Sequence, residues 1–308
     1  MRILVTGGAG FIGTNVCRDL TEHGHDVRAV DDFSTGFVEN TVNASYSVVE
    51  LDILDESLAE HVQWSEAVIH LAAIPSVPRS IAAPLPSHEV NATGTLQLLI
   101  HAAAASEPPH VVVASSSSVY GANPALPKRE DMVCQPMSPY AVSKLATEQY
   151  AMAWQRSYGL DTLAFRFFNV FGPFQAPGHA YAAVVPAFLD AALNGQPVSI
   201  HGDGTQSRDF TYVGTVAQAL RHAVERRVTY DTPVNLAFGT RVTLLDLLDE
   251  IETQLARRVE RNHGPARVGD VPHSQADNSL LRSLFSDVEP VDVPTGLKHT
   301  IDWFRSRT

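Results

Sequence analysis

The chain has 308 residues, 44% of them hydrophobic and 18% charged, the balance of a globular protein with core enough for one or two lobes. Its formal net charge of −12 excludes a broad phosphate-neutralising face for nucleic acid, so any phosphate must be held locally. Cys17 and Cys134 are too few for a disulfide framework, the histidines lack metal-ligand spacing, and no apolar run is long enough for a membrane span. With no room for a leader before the first strand, a reduced cytoplasm without a metal site is expected.

In chain order, Arg2–Thr6 is a short apolar run that reads as a buried parallel strand. The glycine run Gly7-Gly8-Ala9-Gly10-Phe11-Ile12-Gly13 follows at once, then a helical pattern through Leu20. Glycines at 7, 10 and 13 allow a tight turn and close backbone approach to a pyrophosphate on the helix N-terminus. Asp26–Asp31 reads as the second strand, ending in an acid at the distance expected for a ribose 2′-hydroxyl partner. A carboxylate there repels a 2′-phosphate, which favours NAD over NADP. Further strand-like runs over 46–50, 67–72, 110–115 and 161–167 alternate with helical patterns, the longest over 88–106 and 138–158. The alternation predicts an α/β protein with a Rossmann-type doubly wound parallel sheet. Past Phe171 the texture changes to Gly-Pro-Phe-Gln-Ala-Pro-Gly and shorter elements. That shift predicts an NAD-binding domain over 1–171 and a smaller C-terminal substrate-binding lobe over 172–308, with later segments returning to the first domain.

Tyr140-Ala-Val-Ser-Lys144 places a phenol and an ammonium one helical turn apart on one face. A lysine beside a phenol favours the phenolate and lowers its pKa from about 10, which makes Tyr140 a candidate acid/base near neutral pH. The run Ser115–Ser118 just upstream can supply a hydroxyl to the same substrate oxygen, with Ser116 and Ser117 the candidates. Taken singly, Tyr-x-x-x-Lys is a common chance match; the dinucleotide loop gives it an oxidant to serve.

These residues together resemble the extended short-chain dehydrogenase/reductases, and among them the UDP-sugar 4-epimerases. Asp31-Asp32-Phe-Ser34-Thr35-Gly36 is similar to the family's ribose segment, Asp52-Ile53 to its adenine pair and His70-Leu71-Ala72-Ala73 to its fourth-strand end. Ser76-Val-Pro-Arg79-Ser and Asn91 match as well, as does Arg166-Phe-Phe-Asn169-Val-Phe-Gly-Pro, which brings an asparagine to the sugar diphosphate. Tyr181-Ala-Ala183-Val184-Val-Pro, Phe188, Val198, Ile200, Gly202-Asp-Gly, Arg208-Asp-Phe and Arg267-Val-Gly-Asp270 match the nucleotide-holding lobe. The resemblance implies tightly held NAD, and Tyr140 taking the C4-hydroxyl proton while the C4 hydride departs. The 4-keto sugar then turns and is reduced on its other face. Lys144 would favour the tyrosinate, Ser116 would share the proton, and Arg208, Arg267 and Asp270 would clamp diphosphate and ribose. The resemblance also implies a homodimer paired through a four-helix bundle.

Within the family, a 4,6-dehydratase needs an Asp-Glu pair where this chain has Ser117-Ser118. A glucuronate epimerase is expected to carry arginine where Ala176 stands, and a decarboxylase is disfavoured on the same ground. A non-catalytic NAD-sensing or scaffold protein on this fold would lose Tyr140 and Lys144, and both are present. The small gate residue Ser274 leaves room for an N-acetyl group, so UDP-GlcNAc/UDP-GalNAc are expected substrates, with UDP-Glc/UDP-Gal beside them and His273 as a competitor for the space. Gly214-Thr215 replaces the usual acids of the family, and Thr215 is expected to cap the next helix instead.

Overall fold

The computed structural model describes residues 1–177, 183–265 and 272–307. Ile3, Leu4 and Val5 have no exposed surface, as expected of a strand covered on both faces. From there β1 (Arg2–Thr6), α1 (Phe11–Glu22), β2 (Asp26–Asp31), α2 (Val38–Thr41), β3 (Ser47–Glu50), α3 (Leu58–Trp64) and β4 (Ala67–His70) alternate. Two short helices, α4 (Val77–Ala82) and α5 (Pro84–His88), a π turn (Glu89–Thr93) and α6 (Gly94–Ala104) lead to β5 (His110–Ser116). A 3-10 turn (Ser117–Tyr120) and an excursion precede α7 (Pro139–Tyr158) and β6 (Thr162–Phe167).

The chain then leaves the sheet through β7 (Asn169–Phe171), α8 (Val184–Leu193), β8 (Val198–His201), β9 (Ser207–Arg208) and β10 (Phe210–Tyr212). It comes back with α9 (Val213–Glu225) and β11 (Val234–Leu236) before β12 (Val242–Thr243), α10 (Leu244–Leu255), β13 (Arg261–Gly264), α11 (Ser279–Leu284) and α12 (Val293–Arg305). The large sheet has seven parallel strands in the order β11-β6-β5-β4-β1-β2-β3, a doubly wound Rossmann-type sheet whose order reverses beside β1. Thus α9 and β11 lie with the first half of the chain, the helix packed on α1 and the strand on β6. The smaller lobe has its own core, with Phe171, Val185, Leu189, Leu247, Leu248, Ile251, Leu297 and Ile301 buried together.

Local signals explain the helix that carries Tyr140. Ser138 caps α7 by accepting from the Ala141 N–H at 3.1 Å, Pro139 takes its first position, and Gly159 ends it in the left-handed region at φ 67°. The other long helix departs from expectation. It opens as a π turn because the Asn91 amide reaches back to Ile74, while the Asn91 carbonyl accepts the Thr95 and Thr147 hydroxyls at 2.6 and 2.9 Å. Thr215 is not the cap of α9. It sits inside the first turn, and its hydroxyl accepts from the Val291 N–H at 3.0 Å, tying α9 to the segment before α12.

Candidate functional site

At the carboxyl ends of β1, β2, β4, β5 and β6 lies a cleft of about 530 Å³, where ligands of open α/β sheets bind. Gly7, at φ 72°, folds the loop after β1 so closely that a Cβ there would stand 2.7 Å from the Ala72 nitrogen. A Cβ on Gly13 would stand 2.0 Å from the Gly7 carbonyl oxygen. Gly7, Gly10, Phe11, Ile12 and Gly13 all line the cleft, and no side chain caps α1. Its first-turn N–H groups therefore suit a diphosphate. Asp31 accepts from the Ala9 N–H at 2.9 Å and the Phe33 N–H at 2.8 Å. Burial pushes this carboxyl up, and those backbone N–H groups pull it back. Asp32, Ser34, Thr35, Asp52, Ile53, Leu71, Ala72 and Ala73 complete this end. Gly36 lies behind the carboxylate, where a Cβ would come within 2.8 Å of Asp31 Oδ1. An extended dinucleotide with free ribose hydroxyls fits these residues; a 2′-phosphate would meet Asp31.

The other end of the cleft brings together Ser116, Tyr140 and Lys144. The Lys144 ammonium is buried and donates to the Ala114 carbonyl at 2.9 Å. Burial lowers its pKa to about 8. The tyrosine corrects an expectation. Burial pushes the Tyr140 phenol up, and the group that pulls it back is the nearby Ser116 hydroxyl. Proximity to Lys144 therefore does not by itself make a phenolate here, because the same burial weakens the ammonium.

The serine run separates into distinct duties. Ser115 donates to Glu148 at 2.7 Å, with the Lys144 carbonyl 3.1 Å from the same hydroxyl, which ties α7 to β5. Ser117 opens the 3-10 turn and does not line the cleft, whereas Ser116 does. Behind Ser115, Glu148 and Arg166 form a bidentate pair at 2.7 and 3.0 Å, with both side chains almost fully buried.

Asn91 also departs from expectation. Its amide is spent on the Ile74 backbone and on the Ser143 hydroxyl at 3.0 Å, so it positions the loop after β4 and α7 from outside the cleft. Ser76 and Arg79 do line the cleft.

A second cavity of about 340 Å³ adjoins the first, and Asn169, Val170, Gln175 and Ala183 line both. Val184, Phe188 and Arg208 belong to this smaller cavity. Val198 and Ile200 do not: each is 1% exposed and packs in the core of the smaller lobe, whose alternating strand pattern turns them inward. Ser274 is half-buried and outside both cavities; its N–H bonds the Ser207 carbonyl at 3.0 Å. The neighbouring His273 ring is drawn to the Ser207 hydroxyl at 2.8 Å. Arg267 and Asp270 lie outside the described residues.

Sequence reasoning did not single out Phe174 and Gln175 as site residues. Both line the larger cleft, and Gln175 holds a buried Oε1 with no hydrogen-bond partner among the described residues. The only sequence signal was their place after the Asn169 motif.

A Rossmann-type sheet with a glycine loop, an acid after the second strand and a Ser/Tyr/Lys group at the cleft floor defines a dinucleotide-dependent enzyme of the short-chain dehydrogenase/reductase class. More narrowly, residues 3–237 match the NAD dependent epimerase/dehydratase family, and the chain belongs to it, with NAD as its cofactor. A UDP-glucose 4-epimerase of Mycolicibacterium smegmatis is 35% identical over the full length of both chains. A putative UDP-glucose 4-epimerase of Methanocaldococcus jannaschii is 34% identical over 99% of this chain and 98% of its own. Among solved structures, UDP-N-acetylglucosamine 4-epimerase from Methanobrevibacter ruminantium M1, in complex with UDP-N-acetylmuramic acid, superposes with a TM-score of 0.94. It is 37% identical and is matched over 100% of this chain and 99% of that one.

Proposed function

We propose that the chain interconverts UDP-hexoses at C4, with UDP-GlcNAc/UDP-GalNAc accepted and UDP-Glc/UDP-Gal beside them. The observation that carries this reading is the Ser116–Tyr140–Lys144 group lining a dinucleotide cleft that shares Asn169 with a second cavity bearing Arg208. Bound NAD supplies a reversible hydride acceptor and a cationic ring that offsets the burial of the Tyr140 phenol. Tyr140 takes the C4-hydroxyl proton as the hydride leaves and returns it after the sugar has turned. Ser116 shares that proton, and Lys144 holds positive charge beneath the site. Asn169 and Arg208 hold the nucleotide diphosphate, so that the sugar is free to rotate.

Carboxylate placement supports epimerisation over dehydration. Among the described residues, the acids lining the larger cleft are Asp31, Asp32 and Asp52, all at the dinucleotide end, and none stands beside Tyr140. Ala176 lines the cleft and supplies no cation for a uronate carboxylate. The relatives include both UDP-glucose and UDP-glucuronate epimerases, so the hexose is the part that an assay must decide. The same reading includes a homodimer through α6 and α7, whose Ile100 and Val142 are about half exposed.

Purified protein offered UDP-Glc, UDP-GlcNAc and UDP-glucuronate, with products read by NMR, tests the reading. Conversion of the neutral sugars and its loss in Tyr140→Phe are expected. Failure to convert any of them, or near-wild-type turnover by Tyr140→Phe, would overturn it.

A further inference from the structure

We propose that Phe174 is a positioning residue, gripped between the first and last helices, that fixes where the sugar-bearing cavity meets the dinucleotide cleft. Phe174 has φ 68°, a left-handed conformation that a bulky side chain adopts only when its surroundings hold it there. The holders come from opposite ends of the chain. The Arg18 guanidinium of α1 sits over the ring, 4.8 Å from its centroid. The Trp303 ring of α12 stands at 5.4 Å and 51° to it, itself covered by Arg307 at 4.8 Å. One residue earlier, Asn15 of α1 donates to the Pro173 carbonyl at 3.0 Å. Arg18 Nε has no hydrogen-bond partner among the described residues, so the aromatic face is the contact this guanidinium makes on that side.

The grip matters because Gln175 is the next residue in the chain. Gln175 lines both cavities, its Nε2 donates to the Val170 carbonyl at 3.3 Å, and its Oε1 is unpaired among the described residues. Reacting atoms must meet to within a fraction of an ångström, and a misplacement of about 1 Å costs about a hundredfold in rate. A loop held by α1 from the dinucleotide side and by α12 from the smaller lobe sets that meeting point from both sides at once. Released, Phe174 relaxes out of the left-handed region and carries Gln175 with it.

This inference rests on the proposed epimerisation for its kinetic arm but not for its structural one. Trp303 lines neither cavity, so Trp303→Leu removes the grip without touching the ligands. Hydrogen–deuterium exchange over 169–176, where the Asn169 and Val170 amides are hydrogen-bonded, should quicken about tenfold in Trp303→Leu and return to the wild-type rate in Trp303→Phe. On a UDP-hexose that the wild type converts, kcat should fall about tenfold with KM within about twofold, and NADH left on the enzyme should rise. Arg18→Met, which removes the other contact to the ring, should give the same pattern and carries the test if Trp303→Leu does not fold. Unchanged exchange in the folded variant overturns the grip whether or not any sugar turns over. Unchanged kcat in a variant with quickened exchange overturns its role in the reaction. An inert wild type overturns the proposed function and leaves the grip to the exchange measurement.

Discussion

Lys144→Met should stabilise the NAD-free protein at neutral pH while abolishing turnover. Burial holds the Lys144 pKa at about 8 against an ordinary 10.5. At about 1.4 kcal/mol per pH unit, the charged form costs roughly 3 kcal/mol of folding stability at pH 7. The substitution removes that cost but deprives the Ala114 carbonyl of its donor, a loss of about 1–2 kcal/mol. The net gain is about 1–2 kcal/mol. With about 2 cal/mol/K of unfolding entropy per residue, a chain of this length gains roughly 2–3 °C in Tm. The sign with pH follows from the folded pKa lying below the unfolded one for a base. The cost is full below about pH 8, fades as pH rises toward 10.5, and is gone above it. Thermal melts of dinucleotide-free wild type and variant at pH 7 and pH 10 measure this. The variant should melt higher at pH 7, and the gap should close or reverse at pH 10. A variant that melts lower at pH 7, or a gap that ignores pH, would refute the claim that Lys144 is a destabilising buried charge kept for chemistry.

Three further outcomes are expected from the same geometry. Ser116→Ala should cost about 10²-fold in kcat, since its hydroxyl lowers the phenol's pKa, whereas Ser117→Ala should stay within about twofold; steady-state rates on the converted sugar decide between them. Gly13→Ala puts a Cβ 2.0 Å from the Gly7 carbonyl, so the loop must open and NAD content after purification should fall at least tenfold, measured by release and absorbance. Glu148→Gln leaves the buried Arg166 without its carboxylate and should lower stability by about 3–5 kcal/mol in denaturant melts, with the soluble fraction falling accordingly.

Where a role is carried by local chain geometry, the sequence alone made it legible. Strands Arg2–Thr6 and Asp26–Asp31 have the bounds that their apolar runs imply, and the loop between them does what its glycines require. The helix bearing Tyr140 begins and ends on its own Ser-Pro and Gly signals. What escaped the sequence depends on partners far along the chain. Asn91 matched a motif, but its amide turned out to be committed to Ile74 and Ser143. Val198 and Ile200 alternate as strand residues do, and only the packing of α8 and α10 decides that they face the core. Residue spacing gives the distance from Lys144 to Tyr140 along a helix but not the depth of either, and depth set the direction of both pKa values.

The buried pair at the cleft floor also bears on what the fold must do. A phenol pushed up and an ammonium pushed down are each nearer neutrality than in water, so a cleft without dinucleotide holds the phenol protonated and the ammonium less firmly charged than in water. The group of this chain that lowers the phenol's pKa is the Ser116 hydroxyl, and on the proposed reading the cationic nicotinamide ring of bound NAD would add to it. On the proposed reading, activation of Tyr140 would depend on cofactor occupancy. Proton removal without a hydride acceptor would leave a buried, unshared anion, and the same burial that disfavours it suppresses that side reaction. Lys144 fits this scheme as a cation poised near neutral pH, which a hydroxyl-bearing ligand can stabilise by accepting its hydrogen bonds.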